Sequence, residues 1–138
     1  MHFTDIFDCE ASQEDIFRSI GQGVVDECLK GYNCTIFAYG QTGSGKTYTM
    51  SGAESWRLRG IIPRTFSYIF QQYAQNPNAV YNTYVSYLEI YNETGFDLLD
   101  RKHAETPFEN WNKVQIILIF YNFGCRFRCF RMILPIFI

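Results

Sequence analysis

Eight residues constrain this chain more than any others. Gly40-Gln41-Thr42-Gly43-Ser44-Gly45-Lys46-Thr47 fits the pattern G-x-x-x-x-G-K-[ST] in full. The apolar run "CTIFAY" (Cys34 to Tyr39) precedes it, and a helical pattern opens at Lys46. That order is strand, loop, helix, the setting in which such a loop works. Its glycines let the backbone curl so that successive N–H groups face one centre and form an anion nest. The helix beginning near Lys46 turns the positive end of its dipole toward the same point. Lys46 can reach the β- and γ-phosphates of a nucleotide, and the Thr47 hydroxyl is placed to ligate Mg²⁺. Gly40, Gln41, Thr42, Gly43, Ser44, Gly45, Lys46 and Thr47 are therefore the candidate phosphate-binding residues. The plainer reading is a glycine-rich turn that binds nothing, and the flanking strand and helix weigh against it.

The rest of the chain supplies further α/β pieces. "SQEDIFRSIGQGVVDECLKGYN" reads as an amphipathic helix with Ser12 as N-cap and Glu14 and Asp15 in its first turn. Ile16, Phe17, Ile20, Val24, Cys28 and Leu29 make its apolar stripe, and Gly31 its stop. Cys34 to Tyr39, β-branched and aromatic, suits a strand buried on both faces. Ser51 to Gly60 reads as a surface loop. Ile62, Phe66, Ile69, Phe70 and Tyr73 mark a second helix, with Pro63 tolerable only in its first turn. "NPN" (Asn76 to Asn78) is a turn, Val80 to Asn92 a long strand, and "KVQII" (Lys113 to Ile117) a short one.

Composition narrows the function classes. At 138 residues the chain fits one domain. A net charge of -2 gives no global basic field for nucleic acid or an anionic membrane. The five cysteines (Cys9, Cys28, Cys34, Cys125, Cys129) form no Cys-x-x-Cys pair, and neither His2 nor His103 adjoins a cysteine pair. They read as thiols of a reducing, intracellular protein rather than as a disulfide or metal framework. The N-terminus is too acidic and too short in apolar residues for a signal peptide. No run reaches the ~18 apolar residues of a membrane span.

The wider stretch "GYNCTIFAYGQTGSGKTYTM" resembles the nucleotide-binding segment of the kinesin motor superfamily, with Cys34 standing where the family usually has glycine. "FTDIFDCEASQEDIF", "RGIIPR" (Arg59 to Arg64) and "SYLEIYNETGFDLLD" (Ser86 to Asp100) are similar to three further family segments, in the same order. The resemblance covers residues 3 to about 117. It implies an α/β P-loop NTPase fold, a mixed sheet with helices on both faces, here incomplete. It also implies ATP and Mg²⁺ as ligands, tubulin in microtubules as the partner of the full-length family member, and a cytoplasmic, cytoskeletal location. The Ser51–Gly60 loop would lie beside the phosphate site. Glu89 and Asn92 read as scaffold groups that satisfy strand ends rather than as nucleotide contacts.

Several family features have no counterpart here. The switch strings N-x-x-S-S-R and D-x-A-G-S-E do not occur, nor does the adenine-bracing R-x-R-P or a coiled-coil heptad run. No catalytic residue is assigned. The expected organisation is a partial motor domain over 1–117 and a divergent hydrophobic tail over 118–138. That tail has no acid, and it shows neither helical nor strand periodicity for long. An abrupt coding boundary explains it better than a membrane anchor, since Arg126, Arg128 and Arg131 interrupt insertion. The sequence thus points to an ATP-binding fragment of a kinesin-like microtubule motor. The alternatives are a truncated non-motor isoform and another P-loop NTPase such as a GTPase. "NKVQ" (Asn112 to Gln115) lacks the aspartate of the guanine-reading N-K-x-D, which weighs against the latter.

Overall fold

The computed structural model describes residues 3–91, 94–104, 107, 113–114 and 130–137. The chain divides into two compact units, Met1–Tyr81 and Asn82–Ile138.

In the first unit the opening helix starts where the sequence says. α1 (Gln13–Ile16) is capped by Ser12, whose Oγ accepts from the Asp15 amide while the Asp15 carboxylate accepts from the Ser12 amide at 3.0 Å. This reciprocal capping box satisfies two of the donors that every helix start leaves open. A π-helical turn (Phe17–Gly21) follows and leads into α2 (Gln22–Leu29). The helix ends at Gly31, whose φ of 105° suits only a residue without Cβ. Gly31 N donates to Cys28 O and Tyr32 N to Glu27 O, the paired bonds of a Schellman stop.

The buried face differs from the one the apolar spacing predicts. Gln13, Phe17, Gly21 and Val25 are buried, whereas Ile20 is exposed. Four residues of a regular α-helix overshoot one turn by about 40°, so a four-residue row normally drifts around the helix. The wider π turn offsets that drift. Phe17 lies over Gly21 so closely that a Cβ there would fall 2.5 Å from its ring.

α4 (Ile61–Ala74) packs against α2 and carries Pro63 in its first turn, as expected. It buries Ile61, Thr65 and Ile69, another four-residue row, and leaves Phe70 exposed. Rows at that spacing are the ridges that globular helix pairs interdigitate most often. Tyr68 ties the two helices together: its ring meets Phe17 edge-on at 6.0 Å, and its hydroxyl donates to Asp26 Oδ1 at 2.9 Å. Ala79 N bonds to Asn76 O, which makes the expected turn, and Tyr81 stacks on Tyr73 at 4.0 Å.

The strand expected over Cys34–Tyr39 does not form, which corrects the sequence reading. The segment has no regular secondary structure, and Phe37 and Tyr39 are 80% and 95% exposed. β-branched and aromatic residues favour extended backbone, but a strand exists only by its ladder. Among the described residues no ladder partner lies beside this one.

Among the described residues the second unit holds a four-stranded mixed sheet, in which Lys113–Val114, Thr94–Asp97, Thr83–Tyr91 and Phe130–Phe137 lie side by side in that order. β1 (Thr83–Tyr91) pairs antiparallel with β2 (Thr94–Asp97), which pairs antiparallel with β3 (Lys113–Val114). β4 (Phe130–Phe137) runs parallel to β1, in register from Thr83↔Phe130 to Ile90↔Phe137. A strand within 118–138 departs from the aperiodic reading of that segment. Phe96 is buried in this unit, and Leu98 N extends the β1–β2 ladder to Tyr87 O at 2.8 Å. Asn92, Gln115–Ile117, Cys125 and Cys129 lie outside the described residues.

Candidate nucleotide site

Gly40 to Thr47 form one continuous curl. A Cβ on Gly40 would fall 2.5 Å from Ser44 Oγ, so the two ends of the turn nearly touch. Ser44 N donates to Gln41 O at 3.2 Å, which closes the turn over Thr42 and Gly43. Gly43 and Gly45 have φ of 80° and 91°, a region that costs an L side chain about 1–2 kcal/mol. Gly45 also caps α3 (Lys46–Met50), and Thr49 N returns to Gly45 O at 2.9 Å. The amides ahead of Thr49 have no intrahelical acceptor before them, so they are donors for whatever the loop holds.

Lys46 Nζ donates to Gly40 O at 2.9 Å and to Gln41 O at 2.8 Å. Its ammonium therefore sits at the mouth of the curl, stitching the loop's first residues to α3. Anionic phosphate oxygens make stronger bonds to an ammonium than neutral carbonyls do, so an entering phosphate can take those positions. Gln41 to Gly45 and Thr47 are exposed, and Gly40 and Lys46 half-buried. All eight sequence-predicted residues are thus brought together on one accessible loop.

The loop after α3 is tied down more firmly than a solvated loop needs to be. It contains a 3₁₀ turn (Trp56–Leu58) and closes through a bridge between Gly52 and Arg59. Arg64, only 12% exposed, clamps it. Its Nε donates to Arg59 O at 2.8 Å, one terminal nitrogen donates to Arg57 O at 3.1 Å, and the other pairs with Glu14. Gln13 Nε2 donates to Tyr48 O, 2.7 Å away, within α3. Sequence reasoning missed Gln13 and Arg64 because neither the motif nor the helical stripe includes them. The one available signal was a polar Gln at a core spacing from Phe17. Two clefts, of about 750 and 410 Å³, flank this loop and the α1–α4 groove, and none of Gly40–Thr47 lines either.

Of the cysteines described, Cys9, Cys28 and Cys34 are free thiols. Burial, reinforced by a hydrogen bond with Cys34, pushes the Cys28 thiol up to about 11. Hydrogen bonds from the Ser12 side chain and backbone hold the Asp15 carboxyl below its usual value.

The family model for the kinesin motor domain matches residues 1–119. The chain belongs to the kinesin motor domain family. Human kinesin-like protein KIF9 is 50% identical over 91 residues, which are 65% of this chain and 12% of that protein. Human kinesin-like protein KIF15 is 42% identical over 112 residues, 74% of this chain and 8% of that one. Among solved structures, the Drosophila kinesin family member Kin10/NOD in complex with divalent manganese and ADP is similar at 31% identity and a TM-score of 0.65, over 84% of this chain and 44% of that one. Drosophila NOD docked with bovine tubulin into a map of nucleotide-free NOD complexed to the microtubule matches at 35% identity and a TM-score of 0.61, over 73% and 37%. This kinesin chain therefore spans 8 to 12% of the length of such curated relatives. Its mixed, incomplete sheet and its helices are those of part of a P-loop NTPase fold.

Proposed function

We propose that the chain is the phosphate-gripping portion of a kinesin motor, with Gly40–Thr47 as the cradle for Mg·ATP. The observation that carries this reading is the loop itself: two positive-φ glycines curl it directly ahead of α3, and Lys46 faces its mouth. Backbone amides of Gln41 to Gly45 would face the phosphates, with the Lys46 ammonium reaching the β- and γ-oxygens. Thr47 offers an exposed hydroxyl oxygen, the hard donor that Mg²⁺ prefers, and the remaining positions would be filled by phosphate oxygens and water. Bound Mg²⁺ would neutralise charge on the phosphates. The manganese and ADP in the similar Drosophila structure support a nucleotide with a divalent cation.

The activity proposed for the parent motor is ATP hydrolysis coupled to movement on microtubules, with a cytoskeletal location. The similarity to a kinesin solved on the microtubule supports this. Within the chain, residues 1–117 carry the motor-domain portion and 118–138 the divergent tail, a division supported by the end of the family match at residue 119. Calorimetric titration of the chain with Mg·ATP tests the reading, with Lys46→Ala as control. Saturable binding that the variant loses upholds it, and equal heats from both chains overturn it.

A further inference from the structure

α3 raises a question of support. It has five residues, none of them buried, whereas an isolated helix needs roughly 12–15 to be even marginally stable. No side chain of its own anchors it in a core. What fixes it acts on its backbone. Gly60 N donates to Ser51 O at 3.0 Å, and Gly60 lies so close that a Cβ there would fall 2.5 Å from Thr49 O. A further contact comes from 35 residues earlier, where Gln13 Nε2 reaches Tyr48 O at 2.7 Å.

Gln13 is an uneconomical choice for packing alone. It is 3% exposed, and its Oε1 is buried with no partner among the described residues. A methionine of similar shape would fill the space and leave no polar atom stranded. The chain instead carries a stranded oxygen at the position whose amide nitrogen holds the phosphate-loop helix.

We propose that Gln13 is a positioning residue for the phosphate loop. By holding the Tyr48 carbonyl it fixes where α3 lies against α1, hence where Gly45, Lys46 and Thr47 meet a nucleotide, and so how long the phosphates are retained. The retention half of this proposal rests on the nucleotide reading above; the tether itself does not.

The test uses the whole chain with Gln13→Met and Gln13→Glu and two readouts: amide hydrogen exchange, and dissociation of a fluorescent ATP analogue with Mg²⁺. Gln13→Met is expected to keep its melting temperature. Its Thr49 and Ser51 amides should exchange about fivefold faster, the factor one hydrogen bond gives, with Val25 and Ile69 amides unchanged. Analogue release should quicken by a similar factor. Gln13→Glu should behave likewise while ionised. Once protonated, its carboxyl O–H can donate to Tyr48 O, so protection of Thr49 and Ser51, corrected for intrinsic rates, should return as pH falls. A packing role would not produce that recovery.

Exchange and release within twofold of the parent in Gln13→Met, or no recovery in Gln13→Glu at low pH, overturn the proposal. If Gln13→Met loses protection at Val25 and Ile69 as well, the pH recovery in Gln13→Glu decides. If the parent and Lys46→Ala bind the analogue equally poorly, the nucleotide reading and the retention half fall together, and the exchange arm still decides the tether.

Discussion

Gly52→Ala is expected to be among the costliest single-methyl additions in the first unit. Gly52 has φ of 74°, where an L residue costs about 1–2 kcal/mol. The added Cβ would also overlap the Leu58 carbonyl oxygen and the Gly60 nitrogen, and lie 2.7 Å from the Arg59 carbonyl carbon. These are backbone atoms, so no side-chain rotation relieves the clash. The loop can escape only by opening, which breaks Ala53 N to Leu58 O (2.9 Å) and Gly60 N to Ser51 O (3.0 Å). At about 1 kcal/mol per bond, that escape limits the steric part to roughly 2 kcal/mol. The sum is ~3–4 kcal/mol.

With a urea dependence of ~2 kcal/mol per molar for a chain of this size, the unfolding midpoint of the helical signal should fall by about 1.5–2 M. Gly23→Ala is the internal control. Its Cβ would meet nothing within 4 Å, so the same methyl in a helix should stabilise by about 0.5–1 kcal/mol. If Gly52→Ala shifts the midpoint by less than ~0.3 M while Gly23→Ala behaves as stated, the loop is not held as described and the backbone argument fails.

Arg64→Met should lower stability by about 2–3 kcal/mol, because two loop carbonyls and Glu14 lose a largely buried charged donor. Glu14→Gln should cost no more than about 1 kcal/mol, since Glu14 is partly solvated and screened; urea midpoints of the two variants read the difference. Asp15 has a lowered folded pKa, so its contribution is fully present above the ordinary value of 3.8 and is lost as pH falls through the folded value. Asp15→Asn should therefore flatten the fall in melting temperature on the acid side of that value and leave its course near pH 7 unchanged. Among Cys9, Cys28 and Cys34, alkylation at pH 8 followed by peptide mass mapping should label Cys28 last, because its thiol ionises only near pH 11.

What was legible in the sequence is what a few adjacent residues decide by themselves. Ser12 and Asp15 cap a helix through bonds three residues apart, Gly31 ends it, and Pro63 sits where a first turn tolerates it. The phosphate loop belongs to the same class, since its curl depends on Gly43, Gly45 and the bonds of Lys46 to Gly40 and Gln41. The strand over Cys34–Tyr39 was not decided locally, because its ladder partners must come from distant sequence. The buried stripe was misread for a different reason: the π turn at Phe17–Gly21 changes the angular step, so a 3.6-residue template selects Ile20 where the structure buries Gly21. β4 was invisible because its pairing with β1 spans more than 40 residues and leaves no alternation in the sequence.

The two ends of the phosphate loop are therefore unequally secured. Its exit is held by Gln13 and Gly60 acting on α3, and Arg64 holds the loop beyond. Its entry is the Cys34–Tyr39 segment, where Phe37 and Tyr39 leave about 3–6 kcal/mol of burial unrealised, at 1.5–3 kcal/mol per large side chain. Flanking that segment with strands would recover part of this and fix Gly40 from its N-terminal side. The Lys46 bonds to Gly40 and Gln41, with the Ser44–Gln41 turn bond, join entry to exit. The same ammonium is the group proposed to grip phosphate, so grip and loop closure draw on one side chain. In the proposed nucleotide complex, a phosphate that took Lys46 from the two carbonyls would leave the Ser44–Gln41 bond to hold the entry of the loop. Sheet pairing of residues 34–39 would offset that loss from the N-terminal side of Gly40.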